Sequence, residues 1–223
     1  MKFNFEEMKM GKVIAVDGPA GAGKSTVSKI VAAKLGFTYI DTGAMYRAVG
    51  MKLLQSGKTL TEKNLTEIVD DIEIKLDESA KVFLDGVDVT KEIRTPEVSK
   101  LASDVSKYGF VRKKLTELQR EMATAGSVIM DGRDIGTQVL PNADVKIFLT
   151  ASLHERARRR FEELKAKGQA VTFDAVENEI AARDKQDSER EIAPLAKADD
   201  AILIDSTNMT VDEVVEKILE LAK

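Results

Sequence analysis

The sequence predicts an α/β protein in which a parallel β-sheet is wrapped by helices. Three observations lead there. Short β-branched runs alternate with segments whose apolar residues recur at helical spacing, at both ends of the chain. A glycine-rich loop joins the first of these runs directly to the first helix. The middle of the chain breaks the alternation with closely spaced short strands, which reads as a small antiparallel sheet inserted into the parallel frame.

Residues 13–16, Val-Ile-Ala-Val, suit a strand buried on both faces of a parallel sheet. The helix after the loop carries Val27, Ile30, Val31 and Leu35 on one face and stops at Gly36. Residues 37–40 read as a second strand, ending in Asp41-Thr42-Gly43. In the middle, residues 73–76 and 82–84 flank a polar stretch, and Asp85-Gly86 turns the chain toward a third short strand near Val87. Helices are predicted at about 96–108 and 111–125. Further buried strands are predicted at 127–130, 145–149 and 201–204. Residues 153–185, rich in Arg, Lys and Glu, read as an exposed helical insertion. The last helix has Val211, Val214, Val215, Ile218 and Leu219 on one face and opens on a capping box of Thr210 and Glu213.

Bulk properties narrow the function. A chain of 223 residues buries one full core, with room for inserted subdomains. The net charge of −4 advertises no general cationic surface for nucleic acid or an anionic membrane. Cysteine is absent, which excludes disulfides, thiolate metal sites and cysteine nucleophiles together and fits a reducing compartment. One histidine, His154, leaves no material for a His-based metal site or a Ser-His-Asp triad, and it reads as a surface residue at a helix start. No apolar run of about 18 residues exists to cross a membrane. Residues 1–10 read as a loose tail without a signal-peptide run. A cytoplasmic protein, acting as a monomer on small molecules, is expected.

The pattern Gly18-x-x-x-x-Gly23-Lys24-Ser25 matches a P-loop in full, and its context is right: a buried strand before it and a helix after it. Glycines let the backbone turn its N–H groups inward around phosphates, and the helix N-terminus adds positive potential. Lys24 has the reach for β- and γ-phosphates, and the Ser25 hydroxyl suits Mg²⁺. Asp131-Gly132-Arg133-Asp134 follows the strand at 127–130, where ligands bind in such sheets, and Asp131 suits a water-mediated place in the magnesium shell. The competing reading is a plain Asp-Gly turn; the Arg and second Asp packed into it favour function. In Arg183-Asp184-x-x-Asp187-x-x-Arg190, the spacing sets Arg183, Asp187 and Arg190 on one helix face. Such a face either grips phosphoryl oxygens with two guanidiniums braced by a carboxylate, or is a solvated salt-bridge ladder. The run Arg156, Arg158, Arg159 and Arg160 reads as a solvated face. Met45 and Tyr46 read as the first turn of an apolar helix.

Taken together, Asp17-Gly18-Pro19-Ala20-Gly21-Ala22-Gly23-Lys24-Ser25-Thr26, Asp41-Thr42-Gly43-Ala44-Met45-Tyr46-Arg47 and Asp131-Gly132-Arg133-Asp134-Ile135-Gly136 closely resemble the bacterial cytidylate kinases. So do Glu92-Ile93-Arg94-Thr95, Ala143-Asp144-Val145-Lys146-Ile147-Phe148-Leu149 and the Arg183 to Arg190 string. The resemblance runs from about Lys12 to the C-terminus. It implies a P-loop NTPase core at 11–45, 127–152 and 191–223. It also implies a nucleoside-monophosphate-binding insertion at 46–126, holding a small sheet at about 73–88, and a lid at 153–190. It places Gly18 to Thr26 and Arg159 on ATP, and Thr42, Arg47, Ser103, Arg112, Arg133, Asp134, Arg183 and Asp187 on CMP. Arg190, with Arg133, falls among the arginines around the phosphates. Thr42 and Ala20 stand where some relatives carry Ser; a hydroxyl survives at the first, and a backbone-led cradle tolerates the second.

The implied reaction moves the γ-phosphoryl of MgATP to the 5′-phosphate of CMP or dCMP. That acceptor oxygen is already anionic, with a second pKa of about 6, so no general base is required. Lys24, Mg²⁺ on Ser25, Asp131 and arginines 133, 183 and 190 carry the chemistry through alignment and charge. Two rivals remain at this level. One is a P-loop kinase for UMP, AMP or a sugar-like hydroxyl, which would want Asp41 or Asp131 as base. The other is a regulatory module that hydrolyses ATP slowly.

Overall fold

The computed structural model describes residues 11–77, 79–124 and 126–223, so the tail at 1–10 lies outside the described residues. In chain order the elements are β1 (Val13–Asp17), α1 (Lys24–Leu35), β2 (Thr38–Asp41), α2 (Thr42–Gln55), α3 (Glu62–Asp70), β3 (Ile74–Leu76), β4 (Val82–Leu84) and β5 (Val87–Asp88). Then follow α4 (Pro96–Val105), α5 (Gly109–Ala123), β6 (Val128–Asp131), β7 (Val145–Thr150), α6 (Leu153–Ala166), α7 (Phe173–Glu189), β8 (Ile202–Asp205) and α8 (Val211–Leu221). The larger sheet is parallel and five-stranded, in the order β2-β6-β1-β7-β8, and the smaller is three-stranded, β3-β4-β5. The expected parallel frame and antiparallel insert are both present. The chain divides into two compact units: Met1–Phe37 with Gly126–Lys223, and Thr38–Ala125.

In the first unit β1 lies between β6 and β7, parallel to both, with Ile14 facing Ile129 on one side and Val145 on the other. Ile14, Ala15 and Val16 are fully buried, as their unbroken apolar run requires. On the outer side of β7, Ile147 to Thr150 pair with β8. The register puts Val16 opposite Asp131, so the carboxyl ends of β1 and β6 finish level. Helix α8 opens on the predicted Thr210–Glu213 capping box and packs beside α1. Helices α6 and α7 pack on each other through Ala157, Leu164, Val176 and Ile180.

The second unit is organised around α2, whose Ala44, Met45, Ala48, Val49 and Leu53 enter a core shared with Leu65, Ile74, Leu84, Val98 and Leu115. The antiparallel sheet pairs Ile74 with Leu84 and Leu84 with Val87; Ile74, Val82 and Leu84 of β3 and β4 are buried on this core, while Val87 on the edge strand β5 is exposed. Thr61 caps α3 and Thr95 caps α4, with Pro96 in the first turn of α4 where its missing N–H has no cost. Among the described residues no helix is long and apolar enough to cross a membrane.

Candidate phosphate-transfer site

Asp17 ends β1, and the loop from Gly18 to Gly23 connects it to α1. Gly18 has φ 146°, and a Cβ there would lie 1.9 Å from the carbonyl oxygen of Leu149 on β7. Only glycine lets the chain leave the sheet so close to the neighbouring strand. Pro19, Ala20 and Ala22 are buried beneath the loop, Gly21 and Thr26 are exposed, and Gly23 is half-buried at the start of α1. Lys24 is buried, and its Nζ donates to the carbonyls of Gly18 and Pro19, at 2.8 Å each. Burial above all, and then the nearby Arg133 guanidinium, push the Lys24 ammonium down to about 7, against the pull of Asp131 and Asp17. The Ser25 hydroxyl donates to Asp131 Oδ2 at 2.7 Å, so the end of β6 is tied to the first turn of α1.

Asp17 is also buried, and desolvation raises its carboxyl to about 6 even though it accepts the N–H groups of Ile135 and Gly136 at 2.8 and 2.7 Å. These bonds anchor the segment after Asp131 to the base of the phosphate loop. Within that segment Gly132 N–H donates to Val16 O at 3.0 Å, and Asp134 is buried. Arg133 swings to α7 instead, its Nε donating to Asp187 Oδ2 at 2.8 Å. Burial works to raise the Asp187 carboxyl, but Arg133, Arg183 and Arg190 outweigh it and hold Asp187 below the ordinary carboxylate range.

The predicted helix face from Arg183 to Arg190 needs one correction. Helix α7 ends at Glu189, and Arg190 has extended backbone, φ −65° and ψ 140°. Pro194 disfavours helix in the residue before it, and the chain folds back so that Leu195 N–H donates to the Asp187 carbonyl at 2.7 Å. Arg190 nevertheless reaches the cluster, 3.7 Å from Asp187 Oδ1 and 3.6 Å from Asp134 Oδ1. The carboxylate is thus braced from a distant loop by Arg133, in addition to its helix neighbours.

The arginine run of α6 also departs from the expectation of a wholly solvated face. Arg158 and Arg160 do lie outside, paired with Glu155, Glu162 and Glu163. Arg156 is buried and donates to the carbonyls of Ala151 and Ala20 at 2.9 Å each. Arg159 bonds to Ser206 Oγ at 3.1 Å and Ser206 O at 2.7 Å, and its guanidinium comes within 4.0 Å of where a side chain at Gly23 would start. Buried arginines look like solvated ones in a sequence window, because i,i+4 spacing to glutamates is identical in both cases. His154 is the exposed helix-start residue expected, with its side chain 76% exposed.

In the second unit Asp41 is the focus. It caps α2 by accepting Ala44 N–H at 2.9 Å, and it takes guanidinium contacts from Arg47 at 3.1 Å and Arg94 at 2.9 Å. Burial would raise its carboxyl, yet Arg47 and Arg94 hold it well below the usual range. Thr42 is buried as the first residue of α2, and Ser103 is half-buried on α4. Arg112 is buried, donates to Ser106 O at 3.4 Å and stacks 5.4 Å over the Tyr46 ring. Arg94, Asp17, Arg156 and Asp184 are polar residues of these clusters that sequence reasoning assigned no role. Asp17, Arg94 and Asp184 lay inside strings singled out above, and Arg156 in the run read as solvated, without any local sign of their partners.

A phosphate loop at the carboxyl edge of a parallel sheet, with Arg133 and Arg183 close enough to perturb its lysine, defines a nucleotide-phosphate-binding protein of the P-loop class. The fold agrees: the chain superposes on a shikimate kinase from Acinetobacter baumannii with TM-score 0.50 at 16% identity, covering 97% of this chain and 96% of that one. The family model described as Cytidylate kinase matches residues 14–223. Cytidylate kinases from Caldicellulosiruptor bescii, Carboxydothermus hydrogenoformans and Bacillus subtilis are 58%, 54% and 53% identical. Each alignment covers 93% of this chain and at least 94% of the relative. The chain belongs to the cytidylate kinase family.

Proposed function

We propose that the chain transfers the γ-phosphoryl of ATP to the 5′-phosphate of CMP or dCMP, giving ADP and the nucleoside diphosphate. The observation that carries this reading is the convergence of Arg133, Arg183 and Arg190 on one buried carboxylate, Asp187, with Arg133 and Arg183 within electrostatic reach of Lys24. Braced guanidiniums beside a phosphate loop suit a reaction between two phosphates, where charge must be neutralised rather than a proton removed. Gly18 to Thr26, with Arg159, hold the triphosphate. Thr42, Arg47, Ser103, Arg112, Arg133, Asp134, Arg183 and Asp187 hold CMP. Residues 46–126 form the acceptor part and 153–190 the lid over ATP. Lys24 must first leave the carbonyls of Gly18 and Pro19, which it does when phosphate oxygens offer a better partner for its charge.

The Ser25 hydroxyl and the Asp131 carboxylate, 2.7 Å apart, are a hard-oxygen pair that fits Mg²⁺, an ion that takes few protein ligands and completes its shell with water and phosphate. Bound there, the ion would neutralise charge on the donor phosphates. A hydroxyl acceptor fits less well. It would need Asp41 or Asp131 as base, yet Asp41 is held as a low-pKa carboxylate by two guanidiniums and Asp131 is engaged by the Ser25 hydroxyl. Action on small molecules rather than on nucleic acid accords with the net charge of −4. The test is ADP release in a coupled assay with CMP, dCMP, UMP, AMP and no acceptor. Strong stimulation by CMP and dCMP alone is expected; equal rates with and without acceptor would refute the proposal.

A further inference from the structure

The crest of the phosphate loop is held from behind by the α6–α7 hairpin, on both sides of one peptide residue. Ala20 N–H donates to Asp184 Oδ1 at 3.0 Å, and Ala20 O accepts from Arg156 Nη1 at 2.9 Å. Arg156 and Asp184 are themselves ion-paired, and Arg156 Nε is fixed on Ala151 O at the end of β7. The Ala20 methyl sits in the apolar cluster that joins the two helices, with Ala157, Leu164, Val176 and Ile180. Next to it, Gly21 has φ 73°, and a Cβ there would lie 3.2 Å from Arg156 Cβ and 3.6 Å from Ile180 Cδ1. Hairpin and loop therefore touch through hydrogen bonds, an ion pair and close packing at the same place.

We propose that Arg156 and Asp184 are positioning residues for the donor nucleotide: together they set the shape of the phosphate loop and the places of the arginines that serve it. The helical spacing supplies the second half of that statement. Arg159 lies one turn after Arg156 on α6; on α7, Arg183 immediately precedes Asp184 and Asp187 lies one turn after it. Clamping Ala20 to Arg156 and Asp184 thus indexes Arg159 and Arg183 to the loop they flank. A loop lined by backbone N–H groups keeps its curvature through what lies behind it, here the packing of Ala20 on the hairpin and the two hydrogen bonds to its peptide groups. The charge of the clamp is internally balanced, which leaves the positive potential of the loop for phosphate.

This inference deepens the kinase reading by assigning two residues to its donor half, and its test separates the two. MgADP and CMP affinities are measured by titration calorimetry for the parent, Arg156→Lys, Asp184→Asn and the double variant. Arg156→Lys keeps the charge and loses the fork; Asp184→Asn keeps an acceptor for Ala20 N–H and loses the charge. In each folded single variant the MgADP dissociation constant should rise about tenfold or more, the loss of one charge-assisted contact. CMP affinity should fall by clearly less than MgADP affinity, since only Arg183 and Asp187 are shared with the acceptor, and the double variant should be no more than about threefold worse than the weaker single, as for one coupled unit. A rise in the MgADP constant under about fivefold, or an equal loss for MgADP and CMP, overturns the proposal. If a single variant does not fold, amide exchange in the parent decides. Ala20 N–H should exchange at least about a hundredfold more slowly than in an unstructured peptide, and exchange at the free rate overturns the clamp. A parent that binds MgADP but does not turn over CMP would sink the catalytic reading while leaving the clamp to stand or fall on these measurements.

Discussion

Replacing Asp187 by asparagine tests the guanidinium cluster directly. The side-chain shape is kept, and an amide oxygen can still accept from Arg133 Nε, 2.8 Å away. What disappears is the negative charge that faces Arg133, Arg183 and Arg190, the last at 3.7 Å. At about 4 Å and an effective dielectric of about 20, one such pair is worth roughly 4 kcal/mol, and relief of carboxylate desolvation returns part of it. A net loss of about 2–3 kcal/mol follows, near the lower end for breaking a buried pair because one hydrogen bond survives. For a chain of this length that is a fall in Tm of about 4–12 °C. The sign of the pH dependence is set by the lowered carboxyl of Asp187. Its contribution is present above the ordinary value of 3.8 and is lost as pH falls through the lower folded value, so the gap between parent and variant should persist from pH 7 to near 4 and close below that. Turnover in the coupled assay should drop by about a hundredfold, because three guanidiniums without a shared carboxylate repel one another out of alignment. Melting curves across pH, with kcat and KM for both substrates, make the measurement. A Tm within about 1 °C of the parent at pH 7, or a gap that does not change with acid, would refute the electrostatic argument.

Arg183→Ala should lower turnover by about a hundredfold to a thousandfold, or about 2.7–4 kcal/mol, while moving Tm far less; turnover within about threefold of the parent would make Arg183 only a salt-bridge residue. Because Lys24 sits at about 7 in the free protein, MgADP binding should take up about half a proton at pH 7 and nearly one at pH 8, read by calorimetry in buffers of different ionisation enthalpy. Without ligand the same lysine makes stability rise with pH from about 7 toward 10.5, since over that window only the unfolded chain holds the proton; a Lys24→Met variant should lose both effects. Gly18→Ala drives a methyl to 1.9 Å from Leu149 O at φ 146°, and should cost more than about 3 kcal/mol in urea unfolding or leave the protein unfolded.

Much of the frame was legible because it is written in local periodicity. The run at 13–16, the glycine loop, the one-sided helix ending at Gly36 and the Thr210–Glu213 box each depend on neighbours within a few residues, and the structure has them within a residue or so of their expected places. The middle helices end earlier than expected, α4 at Val105 and α5 at Ala123, since helix ends fray and the last turn is decided by local cap geometry rather than by apolar spacing. Arg190 falls just past the end of its helix, where the chain folds back so that Leu195 N–H meets the Asp187 carbonyl, a contact eight residues apart that the tidy helical spacing does not announce.

By itself, then, the sequence determined that this protein carries a phosphate loop between a buried strand and a helix, and which families of side chain stand near it. Partner choice was a matter for the tertiary structure. Arg133 meets Asp187 across 54 positions, Arg94 meets Asp41 across 53, and Arg156 meets Ala20 across 136. A charged residue's spacing to its neighbours is the same whether it faces water or a loop it must hold. Only the packing of α6 and α7 against the phosphate loop takes Arg156 out of solvent, and only burial makes an unpaired guanidinium costly enough to require those partners.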